Sequence, residues 1–359
     1  MTPEEFTARY MPQFSEQQKA AVRETEGPVL LLAVPGSGKT TVLVTRLGFM
    51  ALCRGIDPTF AIIGVDTADA RRAEAMNLGL VDAAEPSIAA AMAHAPDAAL
   101  VCTAPLTHAG IITELLQNGL PVFTELNLVP DGYEENIALA KEKGLPLFLS
   151  STMLYRRETQ YIKQRVQAFG KPVHYVYHIG QYLPDWHPWE NYKNFFVGNA
   201  RTGGVREIFG IDLPWLLDAF GDVESVHCMK DSVSGLGLPY PDCVTLMLRH
   251  ESGVQGVLAA DVVSPKAVRN FECFGDGLHL FWEGSPKALY AFENGEKRFV
   301  DTYGQFEHDP RYSDNIVENA YVDELTNFFE VLQGKAQPRW SFEQDLRLMP
   351  LLDLTNGEE

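Results

Sequence analysis

The sequence predicts an α/β chain: a doubly wound parallel sheet followed by an α+β domain with a large, mostly antiparallel sheet. Two patterns predict it. Up to about residue 150, short continuous apolar runs alternate with stretches of helical spacing, which marks a parallel sheet whose βαβ crossovers lay helices on both faces. From about residue 173, longer strand-like runs follow one another through turn signals, which marks a separate, largely antiparallel domain. At roughly 150 residues per domain, 359 residues allow two to three domains. The reading here is two, 1–150 and 151–359.

In the first half the apolar runs are 29–34, 61–65, 98–103, 122–124 and 145–149, each bounded by Gly, Pro or Asp. Helical spacing covers 40–53, 68–77, 87–94, 108–118 and 134–143. In the second half strands are expected at 173–180, 223–229, 244–250, 254–263, 270–275, 279–282 and 289–292, with turns at Glu251-Ser252-Gly253 and Asp276-Gly277. Helices at 322–332 and 342–353 close the chain against the core.

A formal charge of −19 repels phosphate backbones, so no nucleic-acid partner is expected. Five cysteines, widely spaced and without a CxxC pair, suit free thiols in a reducing compartment and suggest no metal site. The N-terminus has no apolar signal core and no window reaches about 18 apolar residues, so a cytoplasmic protein without a membrane span is expected.

The sharpest local motif is Ala33-Val34-Pro35-Gly36-Ser37-Gly38-Lys39-Thr40, which follows an apolar strand and opens a helix. Apart from its first residue it fits a Walker A loop, in which backbone N–H groups wrap phosphates, Lys39 neutralises them and Thr40 holds Mg²⁺. The alternative is a loop that merely turns the chain. Residues 14–58 closely resemble the N-terminus of UvrD/PcrA-like superfamily 1 helicases, and by that resemblance Gln18 reads adenine. The Mg²⁺-binding strand end, the arginine finger and a second motor domain are missing, and Asp323-Glu324 reads as part of an amphipathic helix. Helicase activity is therefore not expected.

From Phe60 onward the chain resembles the glucose-fructose oxidoreductase/inositol dehydrogenase (Gfo/Idh/MocA) family. AIIGVDTADARRAEA looks like that family's second strand with its acidic end, and DAALVCTAPLTHAGIITELLQNGLPVFTELNL its Thr-x-Pro turn, Ser/Thr-His helix start and the strand leading to Glu-Lys-Pro. FLSSTMLYRRETQYI and ENAYVDELTNFFEVLQGKAQPRWSFEQDLRLMPLLD match the start and the C-terminal helices of its substrate domain. The resemblance implies a Rossmann-like first domain whose first βα unit is the helicase-like segment 1–59, and a substrate and oligomerisation domain that forms homodimers or homotetramers. It also implies NAD or NADP as cofactor, with Asp66 on the ribose and Thr103, Pro105, His108 and Glu125 on the nicotinamide side; Gly36, Ser37, Gly38, Lys39 and Thr40 would meet the phosphates. Thr41 replaces the third glycine of GxGxxG, and Asp66 follows Gly36 at more than the roughly 20 residues usual for the ribose acid. Asp66 also suits the start of the next helix, His108 suits local capping, and Arg71 and Arg72 suit either a 2′-phosphate or a solvated helix face.

The chemistry-bearing positions depart from the family. Leu126 stands where Glu-Lys-Pro has lysine, and an ungapped reading of the Asp-x-Gly-x-His-x-x-Asp helix puts Glu207, Ile211 and Pro214 at its first Asp, His and last Asp. The aromatic segment 180–196 carries Tyr182, Asp185, Trp186 and His187, which suit either a sugar-binding loop or a structural or subunit-contact surface. His187 titrates near neutrality and is the expected proton carrier; His178 reads as packed along a strand; Arg201 suits either an anionic substrate group or a surface ion pair. The expected function is an NAD(P)-dependent type of oxidoreductase acting on a sugar, polyol or sugar derivative, with the catalytic Lys and His positions lost. The alternatives are an ATP-binding P-loop protein with Mg²⁺ and no helicase activity, or a non-catalytic chimeric product.

Overall fold

The computed structural model describes residues 4, 8–9, 11, 61–186, 191–293, 295–304 and 317–356. The expected strand at 29–34, the phosphate loop Gly36–Thr40 and the helix at 40–53 lie outside the described residues, as does His187.

The alternating half begins with β1 (Ile63–Val65), α1 (Asp69–Asn77), β2 (Ala83–Glu85) and the short α2 (Ile88–Ala91). β1 and β2 pair in parallel, with Gly64 beside Ala84. β3 (Ala99–Val101), α3 (His108–Gln117), β4 (Val122–Thr124), α4 (Tyr133–Lys143) and β5 (Leu147–Leu149) follow, and β3-β4-β5 form a second parallel sheet in chain order. β4 is buried at Val122, Phe123 and Thr124, as a strand covered on both faces must be. α4 opens on Glu134 and Glu135, closes on Lys141 and Lys143, and stops at Gly144 with φ +65°; its charges complement the helix dipole and its glycine takes the left-handed cap. β2 is an element the sequence hid, because Ala83-Ala84-Glu85 has no β-branched or aromatic residue and becomes a strand through its pairing with β1.

The second half contributes α5 (Arg157–Phe169), β6 (His174–Gly180), α6 (Gly204–Phe220), β7 (Val223–Asp231), β8 (Cys243–His250), β9 (Gln255–Asp261), β10 (Val268–Gly275), β11 (Leu278–Trp282), β12 (Leu289–Glu293) and β13 (Glu296–Phe299). The eight strands form one sheet in the order β13-β12-β11-β10-β6-β9-β8-β7, antiparallel throughout except for the β6–β9 pair. Its inner face packs against α6, where the Trp215 ring meets Phe271, Tyr177 and Trp282 at 5.2, 5.6 and 6.2 Å. A side chain at Gly256 would lie 1.9 Å from the Tyr175 ring, so only glycine lets that aromatic layer close. The outer face exposes Val176, Met229, Met247, Phe274, Phe292 and Phe299.

The closing helices α7 (Glu318–Leu332) and α8 (Phe342–Asp353) return to the first half. Phe328 of α7 stands edge-on to Phe123 and Phe148 of the parallel sheet at 5.4 and 5.5 Å, and Phe342 of α8 packs on Tyr133 of α4 at 5.0 Å. Asp323 and Glu324 sit inside α7, as the amphipathic pattern predicts. Among the described residues no helix is long and apolar enough to cross a membrane.

Candidate active site

The site lies at the carboxyl ends of β3 and β4. After Val101 the chain turns through Thr103 into a 3₁₀ turn, Pro105–Thr107, that leads into α3. The Thr107 hydroxyl bonds to Thr103 Oγ1 at 2.8 Å and to the Ala104 carbonyl at 2.7 Å, fixing the turn. His108 is 2% exposed, and its Nε2 lies 2.8 Å from the Thr103 carbonyl; a carbonyl only accepts, so Nε2 carries the proton. Nδ1 meets the side-chain amide of Asn127. Both ring nitrogens are engaged, so His108 clamps the turn after β3 to the loop after β4 and does not cap α3 as its sequence context suggested.

Thr103, Pro105, His108, Glu125, Leu126 and Leu128 of the first half, with Phe196 and Glu207 of the second, line a small cleft that is partly open to solvent. Leu126 and Leu128 reach α6 at Gly210, where a Cβ would come within 3.3 and 3.0 Å of them. Glu207, in the first turn of α6, has one buried carboxyl oxygen, Oε2, with no hydrogen-bond partner. Burial, and secondly the charge of Glu125, push its pKa up to about 8, so the neutral acid prevails at pH 7. The cleft therefore holds Glu207 as the neutral carboxylic acid, within the electrostatic reach of Glu125. Glu324 behaves differently: it accepts from Ser150 Oγ, the Ser151 N–H and Thr152 Oγ1 at 3.1, 2.6 and 2.8 Å, tying α7 to the segment after β5.

The structure brings Thr103, Pro105, His108 and Glu125 together in this cleft and, of the other described candidates, leaves Asp66, Tyr182, Asp185, Trp186 and Arg201 outside its lining. Asp66 follows β1, its Oδ1 accepting from the Ala68 N–H at 2.8 Å and its Oδ2 lying 3.5 Å from Arg71. Arg72 is taken up by the Asp66 carbonyl and Asp69. Tyr182 and Asp185 are exposed around a 3₁₀ turn, Leu183–Asp185, whereas Trp186 packs towards Gly204 with its indole N–H buried and unpartnered. Arg201 pairs with Asp131 at 2.5 Å, both exposed, which is the surface ion pair its sequence context allowed. His178 bonds to Asp261 at 2.7 Å on the outer face of the sheet, where Ser264 also donates to Asp261.

Four lining residues, Leu126, Leu128, Phe196 and Glu207, were not expected as site residues. Phe196 is remote in sequence from everything it faces. Glu207 was visible as a carboxylate inside the otherwise apolar stretch Gly204–Phe220, a signal for a buried acid.

Residues 14–77 match the UvrD/REP helicase N-terminal domain, under a fifth of the chain. No curated protein matches the sequence. Among solved structures, UDP-N-acetylglucosamine 3-dehydrogenase from Acidithiobacillus ferrooxidans is similar at a TM-score of 0.65 and 17% identity, covering 85% of this chain and 89% of that one. An oxidoreductase from Agrobacterium radiobacter, in complex with NAD⁺, L-tartaric acid and magnesium, gives 0.66 and 12%, covering 81% and 86%. The WlbA dehydrogenase from Bordetella pertussis, in complex with NADH and UDP-GlcNAcA, gives 0.62 and 16%, covering 81% and 85%. The fold is that of the Gfo/Idh/MocA oxidoreductases. Glu125, from the loop after β4 of the parallel half, and Glu207, from α6 of the second half, both line the cleft.

Proposed function

We propose that the chain is a Gfo/Idh/MocA-like oxidoreductase that binds NAD or NADP and acts on a sugar, polyol or sugar derivative. The observation that supports it most is the cleft itself. It opens at the carboxyl ends of parallel strands, where open α/β sheets bind their ligands, and its lining is completed from the mixed-sheet half. The described residues fit the two ends of a dinucleotide: Asp66, a third exposed at the tip of β1, for the ribose hydroxyls, and Thr103, Pro105 and Glu125 for the nicotinamide side. That group would supply hydride transfer. Exposed Arg71 is the residue that would meet a 2′-phosphate, since Arg72 is already engaged.

The protein's own chemistry differs from the family pattern. Leu126 cannot move a proton. A Cβ at Gly210 would crowd Leu128 and Leu126, and registering the helix motif on that glycine sets Ile208, Asp212 and Trp215 at the first Asp, the His and the last Asp, one residue beyond the ungapped reading. Asp212 accepts from Tyr177, Trp215 and Arg269 at 2.6, 3.1 and 2.6 Å, so it is committed to structure.

Tyr182, Asp185, Trp186, His187 and Arg201 remain the proposed substrate-side residues, and the neighbours that carry UDP sugars supply a first panel. Incubating the chain with UDP-N-acetylglucosamine, UDP-GlcNAcA or myo-inositol and NAD⁺ or NADP⁺, and following absorbance of the reduced nicotinamide, tests the reading. The open face of the mixed sheet is the proposed subunit contact of a cytoplasmic homodimer or homotetramer. A second reading, ATP with Mg²⁺ at Lys39 and Thr40 without helicase activity, is favoured by the UvrD/REP match alone.

A further inference from the structure

We infer that Glu207 is the proton-carrying residue of the cleft, exchanging a proton at Oε2 with a substrate hydroxyl or carbonyl oxygen. The inference rests on the oxidoreductase reading and names its acid–base group.

Among the described residues, Glu207 Oε2 is the only buried carboxyl oxygen without a hydrogen-bond partner. The other buried acids are saturated. Asp212 has Tyr177, Trp215 and Arg269; Glu324 has Ser150, Ser151 and Thr152; Asp345 has Tyr133 and Trp340; Asp242 has Val233 and Ser234; Glu158 has Arg156 and Tyr303. Each of those holds elements together, whereas Glu207 has a buried oxygen without a partner among the described residues and lines the cleft. Leu126, Leu128 and Phe196 surround it with apolar surface, and no Lys or Arg is among the described lining residues.

The charged and titratable groups about Glu207 all leave it able to hold a proton. Glu125 lies in the loop after β4, and its charge favours the neutral form. His108 is held by Thr103 and Asn127; the Tyr240 hydroxyl donates to the Val197 carbonyl and accepts from the Gly204 N–H. Arg206, next along α6, turns away to the Leu128 carbonyl and Asp353. A transition near pH 8 lets the group serve both directions. As the neutral acid Glu207 would give its proton to a substrate carbonyl oxygen and be left as the carboxylate; as the carboxylate it would take the proton of a substrate hydroxyl and be left neutral. A nicotinamide held beside Thr103, Pro105 and Glu125 would supply hydride to the carbon in the first direction and accept it in the second.

The test uses the full chain and two readouts. Infrared difference spectra across pH are expected to show a protonated carboxyl component lost as pH rises through about 8, which is absent from Glu207→Gln and moved to lower pH in Glu125→Gln, while the components of Glu324 and Asp345, lost at lower pH, remain in Glu207→Gln. Calorimetric titration is expected to show NAD⁺ affinity rising several-fold through the same transition, because the carboxylate favours the cationic ring, with the rise lost in Glu207→Gln and retained in Glu207→Asp. A band that survives in Glu207→Gln, or ionisation of Glu207 in the ordinary carboxylate range, overturns the assignment. Absence of NAD⁺ and NADH binding at every pH overturns the oxidoreductase reading instead, and the proton-transfer role with it, even where the band behaves as expected.

Discussion

Arg269 of β10 donates through Nη2 to Asp212 Oδ2 at 2.6 Å, joining the mixed sheet to the helix that lines the cleft. Asp212 is fully buried and also accepts from Tyr177 and Trp215, so its removal strands a buried guanidinium. Asp212→Ala is expected to destabilise the fold by about 3–5 kcal/mol, read as a lower urea midpoint. The double variant Asp212→Leu/Arg269→Met, which removes both charges, is expected to recover much of that loss.

His108 bridges the Thr103 carbonyl and the Asn127 amide in a buried place. His108→Ala leaves both unpaired and is expected to lower stability by about 1–3 kcal/mol in urea unfolding. A change below a few tenths would show that the clamp carries no weight.

Burial pushes Glu324 up to about 7 and Asp345 up to about 6, alongside Glu207 at about 8. These acids bind protons more tightly folded than unfolded, so their contribution is complete below the unfolded carboxylate range and is lost as pH rises through the folded values. Stability is therefore expected to fall between about pH 5 and pH 8, and Glu324→Gln to flatten part of that slope. Urea midpoints measured across that interval read it directly.

Met247, Val257 and Val176 are neighbours across β8, β9 and β6 on the open sheet face, with Met229 exposed on β7 and Phe274 on β10. Contiguous apolar surface of this kind marks a contact. Sedimentation is expected to show a dimer or tetramer for the native chain and a monomer for Met247→Lys with Phe274→Glu; an unchanged mass would place the contact elsewhere.

Much of this fold was legible because its strands announce themselves locally. The buried strands β4 and β5 read as continuous apolar runs, and the sheet strands β6 to β12 alternate a buried and an exposed face. Polar edges were not legible: β13, Glu296-Lys297-Arg298-Phe299, is exposed at every residue and exists through pairing with β12. The first-half lining of the cleft followed from the Thr103-Pro105-His108 turn and Glu125. Its second-half lining, Phe196 and Glu207, depends on how two halves of the chain meet, which no local pattern reports. The register of α6 was likewise hidden until the contacts of Leu126 and Leu128 singled out Gly210.

The central claim is that this cleft serves a nicotinamide dinucleotide, and calorimetric titration of the full chain with NADH, NADPH and Mg-ATP tests it most directly. Saturable binding of NADH or NADPH, weakened by Asp66→Ala, is the expected result. Binding of Mg-ATP alone, abolished by Lys39→Ala and with neither dinucleotide bound, would contradict it.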